Sequence, residues 1–313
     1  MKKWNEKFLF FLLSRSVLLN KLFALFKFIK RHKRLPRNLS ASQATFEDYI
    51  FDRMTRSWSS FHESCVDKES AKKAASALSA TVRTPRTAAV LTLTDQSTLE
   101  DVGKFLYPYI GKNLVAKPTH ASGAIAFLGG KDLKKAVQQI SNVFQVASRN
   151  YFFNEYERQY LRLPRKIIVE ECLPSFEPMK IAQNEWGYHP PPDFRFYAAR
   201  GKVLFCQFDQ GRFADHRQAL FTVPDHQLIP IPDLYPLPNP LPDKPAHWDE
   251  MIRIASELSA PFDFVRVDLY DLPDGIYFSE FTFTPNATFL PFQDRAFSRK
   301  LLEDVLKIAS KIN

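Results

Sequence analysis

Arg266, Asp268, Glu280 and Thr282 bring two carboxylates, a guanidinium and a hydroxyl into one short stretch. They lie in Phe264-Val-Arg-Val-Asp-Leu-Tyr and Tyr277-Phe-Ser-Glu-Phe-Thr-Phe, two β-rich runs separated by Leu272-Pro-Asp-Gly. Pro-Asp-Gly between alternating apolar residues is a turn signal, so the runs predict a hairpin. Residues two apart share a face of a strand, which aligns Arg266 with Asp268 and Glu280 with Thr282. Two carboxylates beside an arginine and a hydroxyl suit a hard cation that carries phosphate. A strand face with its charges paired off accounts for the same residues, and the hairpin alone leaves both readings open.

The elements that must position this hairpin follow from periodicity and punctuation. Helices are predicted over residues 45–80, where Thr45-Phe-Glu-Asp opens as a cap and Asp67-Lys-Glu-Ser-Ala begins another. Residues 83–94 enter a strand, and residues 96–110 form a helix. Asn113-Leu-Val-Ala-Lys-Pro is a strand ending in a lysine; a small-residue loop follows, then a helix towards Ser148. Lys166-Ile-Ile-Val-Glu-Glu is a strand stopped by Pro174, and residues 193–209 form a hairpin turning at Arg200-Gly201. The proline-dense run from Pro224 to Pro245 reads as a surface connection. Helices over Trp248–Ser259 and from Ala296 to about Ile312 complete the pattern, and no internal repeat is visible.

Charge is distributed unevenly. The chain of 313 residues carries a net +9, yet residues 1–37 hold eleven Lys or Arg against the single Glu6. That surplus of ten leaves the body at −1, so the basic pI gives no reason to expect a nucleic-acid groove there. From Trp4 to Ile29 a narrow polar stripe (Lys7, Ser14, Asn20, Lys21, Lys27) interrupts a wide Phe- and Leu-rich face, predicting one amphipathic helix. No apolar run reaches the ~20 residues of a membrane span. A basic amphipathic helix suits an anionic bilayer surface, each nearby cation contributing on the order of 1 kcal/mol; packing against its own domain or a partner is the competing reading. Three cysteines, Cys65, Cys172 and Cys206, form neither a paired disulfide framework nor a CxxC site and read as packing residues.

Taken in order, five motifs carry a family resemblance: Asp67-Lys68 with Lys72, Val115-Ala-Lys-Pro-Thr-His-Ala-Ser-Gly, Lys166-Ile-Ile-Val-Glu-Glu-Cys-Leu, Phe208-Asp-Gln-Gly-Arg-Phe-Ala-Asp-His-Arg, and the Asp268/Glu280 hairpin. Over roughly residues 44–295 the chain resembles the TupA-like branch of the ATP-grasp superfamily, found in bacterial cell-surface polysaccharide biosynthesis. The resemblance implies an α+β ATP-grasp fold, two α+β lobes clamping ATP after a helical N-terminal region. It divides the chain into the N-terminal helix (1–37), a helical pre-lobe region (38–95), a first lobe with phosphate loop and adenine hinge (96–173) and a second lobe with the Mg²⁺ site (174–313).

The resemblance also implies roles. Lys117 and Lys72 would meet the nucleotide phosphates, with backbone N–H groups of the Ser122-Gly123 loop over them. Glu171 and Leu173 would read the adenine edge through their backbone, and Glu170 or Glu171 would add a carboxylate; adjacent strand residues alternate, so at most one faces the nucleotide. Asp268, Glu280 and Thr282 would hold Mg²⁺, and Arg266 would join Lys117 in stabilising charge on the transferred phosphoryl group. Asp209, Arg212, His216 and Arg217 are candidate substrate contacts or a salt-bridge cluster. Two departures stand out: Ala121 replaces a usual loop glycine, and Thr284-Pro-Asn-Ala-Thr lacks one.

The implied reaction is an ATP-dependent carboxylate–amine ligation through an acylphosphate. Its substrates would be an amino acid, uronic acid or amino sugar of a surface glycan, handled in the cytoplasm or peripherally at the inner membrane face. A phosphotransferase on a glycan precursor and a membrane-bound scaffold with a decayed fold are the alternatives.

Overall fold

The computed structural model describes residues 2–130, 133–174, 190–211, 215–231, 235–288 and 292–310. The N-terminal region forms two helices rather than one, α1 (Lys2–Arg15) and α2 (Val17–His32). Ser16 divides them: its backbone is extended, and its hydroxyl accepts the Leu19 N–H at 3.2 Å, an N-cap that restarts the helix. Helices α3 (Phe46–Thr55), α4 (Ser60–Val66) and α5 (Lys68–Leu78) follow. The two expected caps are present. Asp48 accepts the Thr45 N–H at 3.0 Å, and Asp67 accepts the Glu69 and Ser70 N–H groups at 3.2 and 3.1 Å.

Next come β1 (Thr87–Thr92), α6 (Leu99–Leu106), β2 (Leu114–Pro118), β3 (Ala126–Phe127), α7 (Leu133–Ala147), the single turn α8 (Phe152–Glu155) and β4 (Lys166–Glu171). The four strands make an antiparallel sheet in the order β1-β4-β2-β3. Its edge strand β1 therefore comes from before residue 96, inside the segment assigned to the pre-lobe region. Leu114, Ala116, Ile167 and Val169 pack against Val102, Leu106, Ile140 and Val143, which fastens α6 and α7 to one face.

The second sheet contains β5 (Asp193–Ala199), β6 (Lys202–Gln210), β7 (Arg217–Thr222), β8 (Val265–Leu272) and β9 (Gly275–Thr282); α9 (Trp248–Ser259) precedes β8 and α10 (Arg295–Ala309) ends the fold. The strand order is β7-β6-β5-β8-β9. Arg200 and Gly201, both at positive φ, make the expected tight turn between β5 and β6. Strand β7 is an addition to the predicted elements, and its first residue, Arg217, closes the motif that begins at Phe208. One face of this sheet is apolar, with Phe194, Phe196, Phe208, Val267 and Leu269 packed on Trp248, Met251 and Ile254 of α9. The opposite face is divided. Tyr197, Phe205, Leu220 and Phe264 pack on α3 and α10, while the remainder is polar and carries the candidate site. Buried Arg53 of α3 ties together the adjoining ends of β8 and β9, donating to the Phe283 and Phe264 carbonyls at 3.0 and 2.8 Å and pairing with Asp263 at 2.7 Å.

Candidate active site

Strand register decides which side chains of the first sheet meet. Val115 lies opposite Glu170, and Lys117, two residues on, shares their face. The ammonium groups of Lys117 and Lys72 each contact one oxygen of the Glu170 carboxylate, which is 2% exposed. Lys72 also donates to the Pro85 carbonyl at 2.8 Å. Burial pushes the Glu170 carboxyl up, but the two lysines outweigh it and hold it below its ordinary range. Glu171 takes the other face, and its N–H is taken up by the Arg86 carbonyl at 3.0 Å. Of the two glutamates, Glu170 is the one that joins the lysines; Leu173 is buried just past the strand end.

Beyond Lys117 the small-residue loop is in place. Gly123 sits at φ +85°, a conformation that favours glycine, and Ser122 Oγ shares a 2.9 Å hydrogen bond with Tyr151 Oη. Lys68, at the start of α5, connects this loop to the second sheet. Its ammonium donates to the Ala121 carbonyl at 2.9 Å and lies 3.8 Å from Glu280 Oε2. Burial draws the Lys68 pKa down against the opposing pull of Glu280.

In the second sheet a one-residue bulge aligns the carboxylates. From the turn, Leu272 pairs with Gly275 and Leu269 with Phe278, a register that would set Asp268 opposite Ser279. The bulge at Ser279 places Glu280 opposite Asp268, and Thr282 opposite Arg266. Arg266 forks onto Asp268, Nε to Oδ1 at 2.7 Å and Nη2 to Oδ2 at 2.6 Å, and Nη2 also reaches Thr282 Oγ1 at 3.1 Å and Glu280 Oε1 at 3.4 Å. Burial pushes the Asp268 carboxyl up to about 6 against the pull of Arg266 and Arg195.

The polar face continues across β5, β6 and β7. Asp209 receives His216 Nε2 at 2.5 Å, Gln207 Nε2 at 2.6 Å, Gln218 Nε2 at 3.1 Å and Arg195 Nη1 at 3.1 Å. Burial raises this carboxyl, but Arg195 and His216 outweigh it and bring it to about 2. Arg195 also lies 3.4 Å from Asp193 and 3.5 Å from Asp268, so it ties this cluster to the hairpin.

Of the four candidate substrate contacts, Asp209 and His216 belong to the face. Arg217 does not: alternation turns it to the other side, onto Asp215 at 2.9 Å and the Leu237 carbonyl at 3.4 Å. Arg212 lies outside the described residues. Sequence reading missed Lys68, Arg195, Gln207 and Gln218 as site members. Arg195 was recoverable, because Asp193-Phe-Arg-Phe alternates charged and aromatic residues in phase.

The donor set on the hairpin suits magnesium. Asp268, Glu280 and Thr282 offer only oxygen, and Mg²⁺ is commonly held by one or two carboxylates plus substrate phosphates. Among the described residues no group of three or more His, Cys, Asp or Glu side chains is arranged for a metal.

Two α+β lobes, one presenting lysines and a loop and the other paired carboxylates, define a clamp-like nucleotide fold. The TupA-like ATPgrasp family model matches residues 53–306, so the chain belongs to the TupA-like ATP-grasp family. Similar solved structures include the VanG D-Ala:D-Ser ligase from Enterococcus faecalis, with 14% identity, TM-score 0.45, and coverage of 78% of this chain and 62% of that one. Another is a D-alanine–D-alanine ligase from Bacillus anthracis, with 16% identity, TM-score 0.39, and 79% and 68% coverage. The ATP-grasp ligase PsnB, complexed with a minimal precursor, aligns with 13% identity, TM-score 0.38, and 80% and 63% coverage. The chain thus spans about 62% of VanG and 63% of PsnB. No curated protein matches it.

Proposed function

We propose that the protein is an ATP-dependent carboxylate–amine ligase acting on a bacterial surface glycan or its lipid-linked precursor at the inner face of the membrane. The observation that supports this most is Lys68, which touches the small-residue loop and reaches the Asp268/Glu280 hairpin, joining a lysine cluster to a carboxylate pair. Phosphoryl transfer needs cations on the phosphates and carboxylates for magnesium, with little covalent chemistry from the protein.

In this reading Lys117, Lys72 and Lys68 bind the ATP phosphates, and the backbone past Glu170 receives the adenine. Asp268, Glu280 and Thr282 would hold Mg²⁺, which supplies charge neutralisation. A substrate carboxylate oxygen attacks the γ-phosphorus while the bond to the β-bridging oxygen breaks and ADP leaves. Arg266 and Lys117 stabilise the charge that develops. An amine then attacks the acyl carbon, phosphate departs and the amine proton passes to a base. The polar face carried by Asp209 and His216 orients the acceptor, an amino acid, uronic acid or amino sugar.

The test is incubation with Mg-ATP and pairs of such substrates, read by mass spectrometry. A joined product lighter by one water than its parts, with ADP formed, supports the ligase. A product heavier by one phosphate would make the protein a phosphotransferase instead, and failure to bind Mg-ATP by calorimetry would leave a scaffold.

A further inference from the structure

Helix α2 covers only part of its wide apolar face against the body. Its buried side chains are Asn20, Ala24 and Phe28. Asn20 Nδ2 donates to the Tyr156 carbonyl at 3.1 Å. Lys27 pairs with Glu155 at 3.5 Å, as does Arg31 at 3.3 Å. The side that grips the body is therefore mixed, with Asn20, Lys27 and Arg31 beside Ala24 and Phe28. Leu18, Leu22, Phe26 and Ile29, spaced along the opposite side, are 69, 51, 71 and 38% exposed. Phe8, Phe11 and Leu12 of α1 extend this apolar surface. Arg15, Lys21, Lys30 and Lys33 are exposed around it, and residues 8–37 contain no acid.

We propose that the outer face of α1 and α2 is a lipid-docking surface that lies in the headgroup boundary of an anionic bilayer. Both halves of such a ligand are matched, acyl chains by the Leu and Phe side chains and anionic headgroups by the basic rim. A second copy of the chain would set the same basic rim against itself, with no acid in residues 8–37 to offset it. The face gives the inner-membrane placement a named surface and is independent of the ligase chemistry. The inner side of α1 connects towards the candidate site. Leu13 of α1 packs with Phe152 and Leu161, in the segment whose Tyr151 bonds the loop residue Ser122.

The full chain should co-sediment with phosphatidylcholine vesicles containing phosphatidylglycerol, about tenfold more than with phosphatidylcholine alone, and less as salt rises. Leu18→Glu with Phe26→Glu should abolish sedimentation with an unchanged circular dichroism spectrum, since both side chains are exposed. Lys21→Ser, Lys30→Ser and Lys33→Ser together should reduce binding to the neutral-vesicle level. A wild-type chain that stays in the supernatant would overturn the proposal. So would a Leu18→Glu/Phe26→Glu variant that sediments fully, or a solution dimer that this variant splits. Calorimetry with Mg-ATP separates the two ideas: vesicle binding without nucleotide binding sinks the ATP site and upholds the docking face.

Discussion

In the first sheet one buried carboxylate, Glu170, meets two ammonium groups, Lys72 and Lys117. In the second, Asp193, Asp209, Asp268 and Glu280 share two guanidiniums, Arg195 and Arg266. Two ammonium groups thus converge on one carboxylate in the first sheet, while the carboxylates of the second also draw on His216 and Lys68. Both arrangements gather charge in places shielded from water, which is costly for a fold. Together they fit a ligand that is itself polyanion and dication, with Lys68 standing between the halves. The contrast sets charge buried in the packing, such as Arg53 with Asp263, apart from charge gathered on the two faces that Lys68 connects.

The strongest way to break the contrast is to neutralise the exposed member of the anionic side. Glu280 is only half-buried and makes a 3.4 Å contact with Arg266, so Glu280→Gln should fold normally. ATP turnover should fall by about a thousandfold, with a raised Mg²⁺ requirement. Full activity would return the hairpin to a salt-bridged strand pair. On the cationic side, Lys117→Met should weaken Mg-ATP binding by roughly a hundredfold in calorimetry while Glu170 keeps Lys72 as partner. An unchanged affinity would mean that the first sheet's lysines serve Glu170 alone.

How far these residues were legible in the sequence depends on whether a local pattern carried the information. Strands β2, β4, β5, β6, β8 and β9 and helix α9 followed from alternation and turn chemistry, and Lys117, Asp268 and Glu280 from motif order. The bulge at Ser279 was written in the apolar residues: Ile276 and Phe278 are even, Phe281 and Phe283 odd, and all four pack on one face. That change of phase signals one extra residue, yet it is visible only when parity is followed across the site. Asn20 facing inwards could not be read, because an amphipathic helix has two sides and the sequence does not say which one the body covers. Lys68 stood in the Asp67-Lys68 motif without a role, because its partners Ala121 and Glu280 are distant in the chain.

Acid stability sharpens the contrast further. The Asp209 carboxyl lies at about 2 in the folded protein against an ordinary 3.8, so the folded state is favoured by its ionised form. This contribution is complete above about pH 4 and is lost as the pH falls towards 2, amounting to about 2 kcal/mol. Asp209→Asn should flatten the acid limb of a chemical-denaturation series between those values. An unchanged limb would place the acid sensitivity elsewhere.

The smallest effect tests whether strand direction outranks motif membership. His216 and Arg217 are neighbours in one motif, but only His216 turns to Asp209, while Arg217 pairs with Asp215 at the surface. Arg217→Ala should change the acceptor KM less than twofold, within the small worth of an exposed ion pair. His216→Gln should raise it about tenfold with little change in Mg-ATP affinity, because the imidazole lies on the polar face beside Asp209, where the proposed function sets the acceptor. The reverse ranking would mean that the alternation along β7 is misread and that the acceptor approaches from the Leu237 side of the sheet. Equal, negligible effects would confine the site to the Lys117, Asp268 and Glu280 region and leave β6 and β7 as support for Arg195.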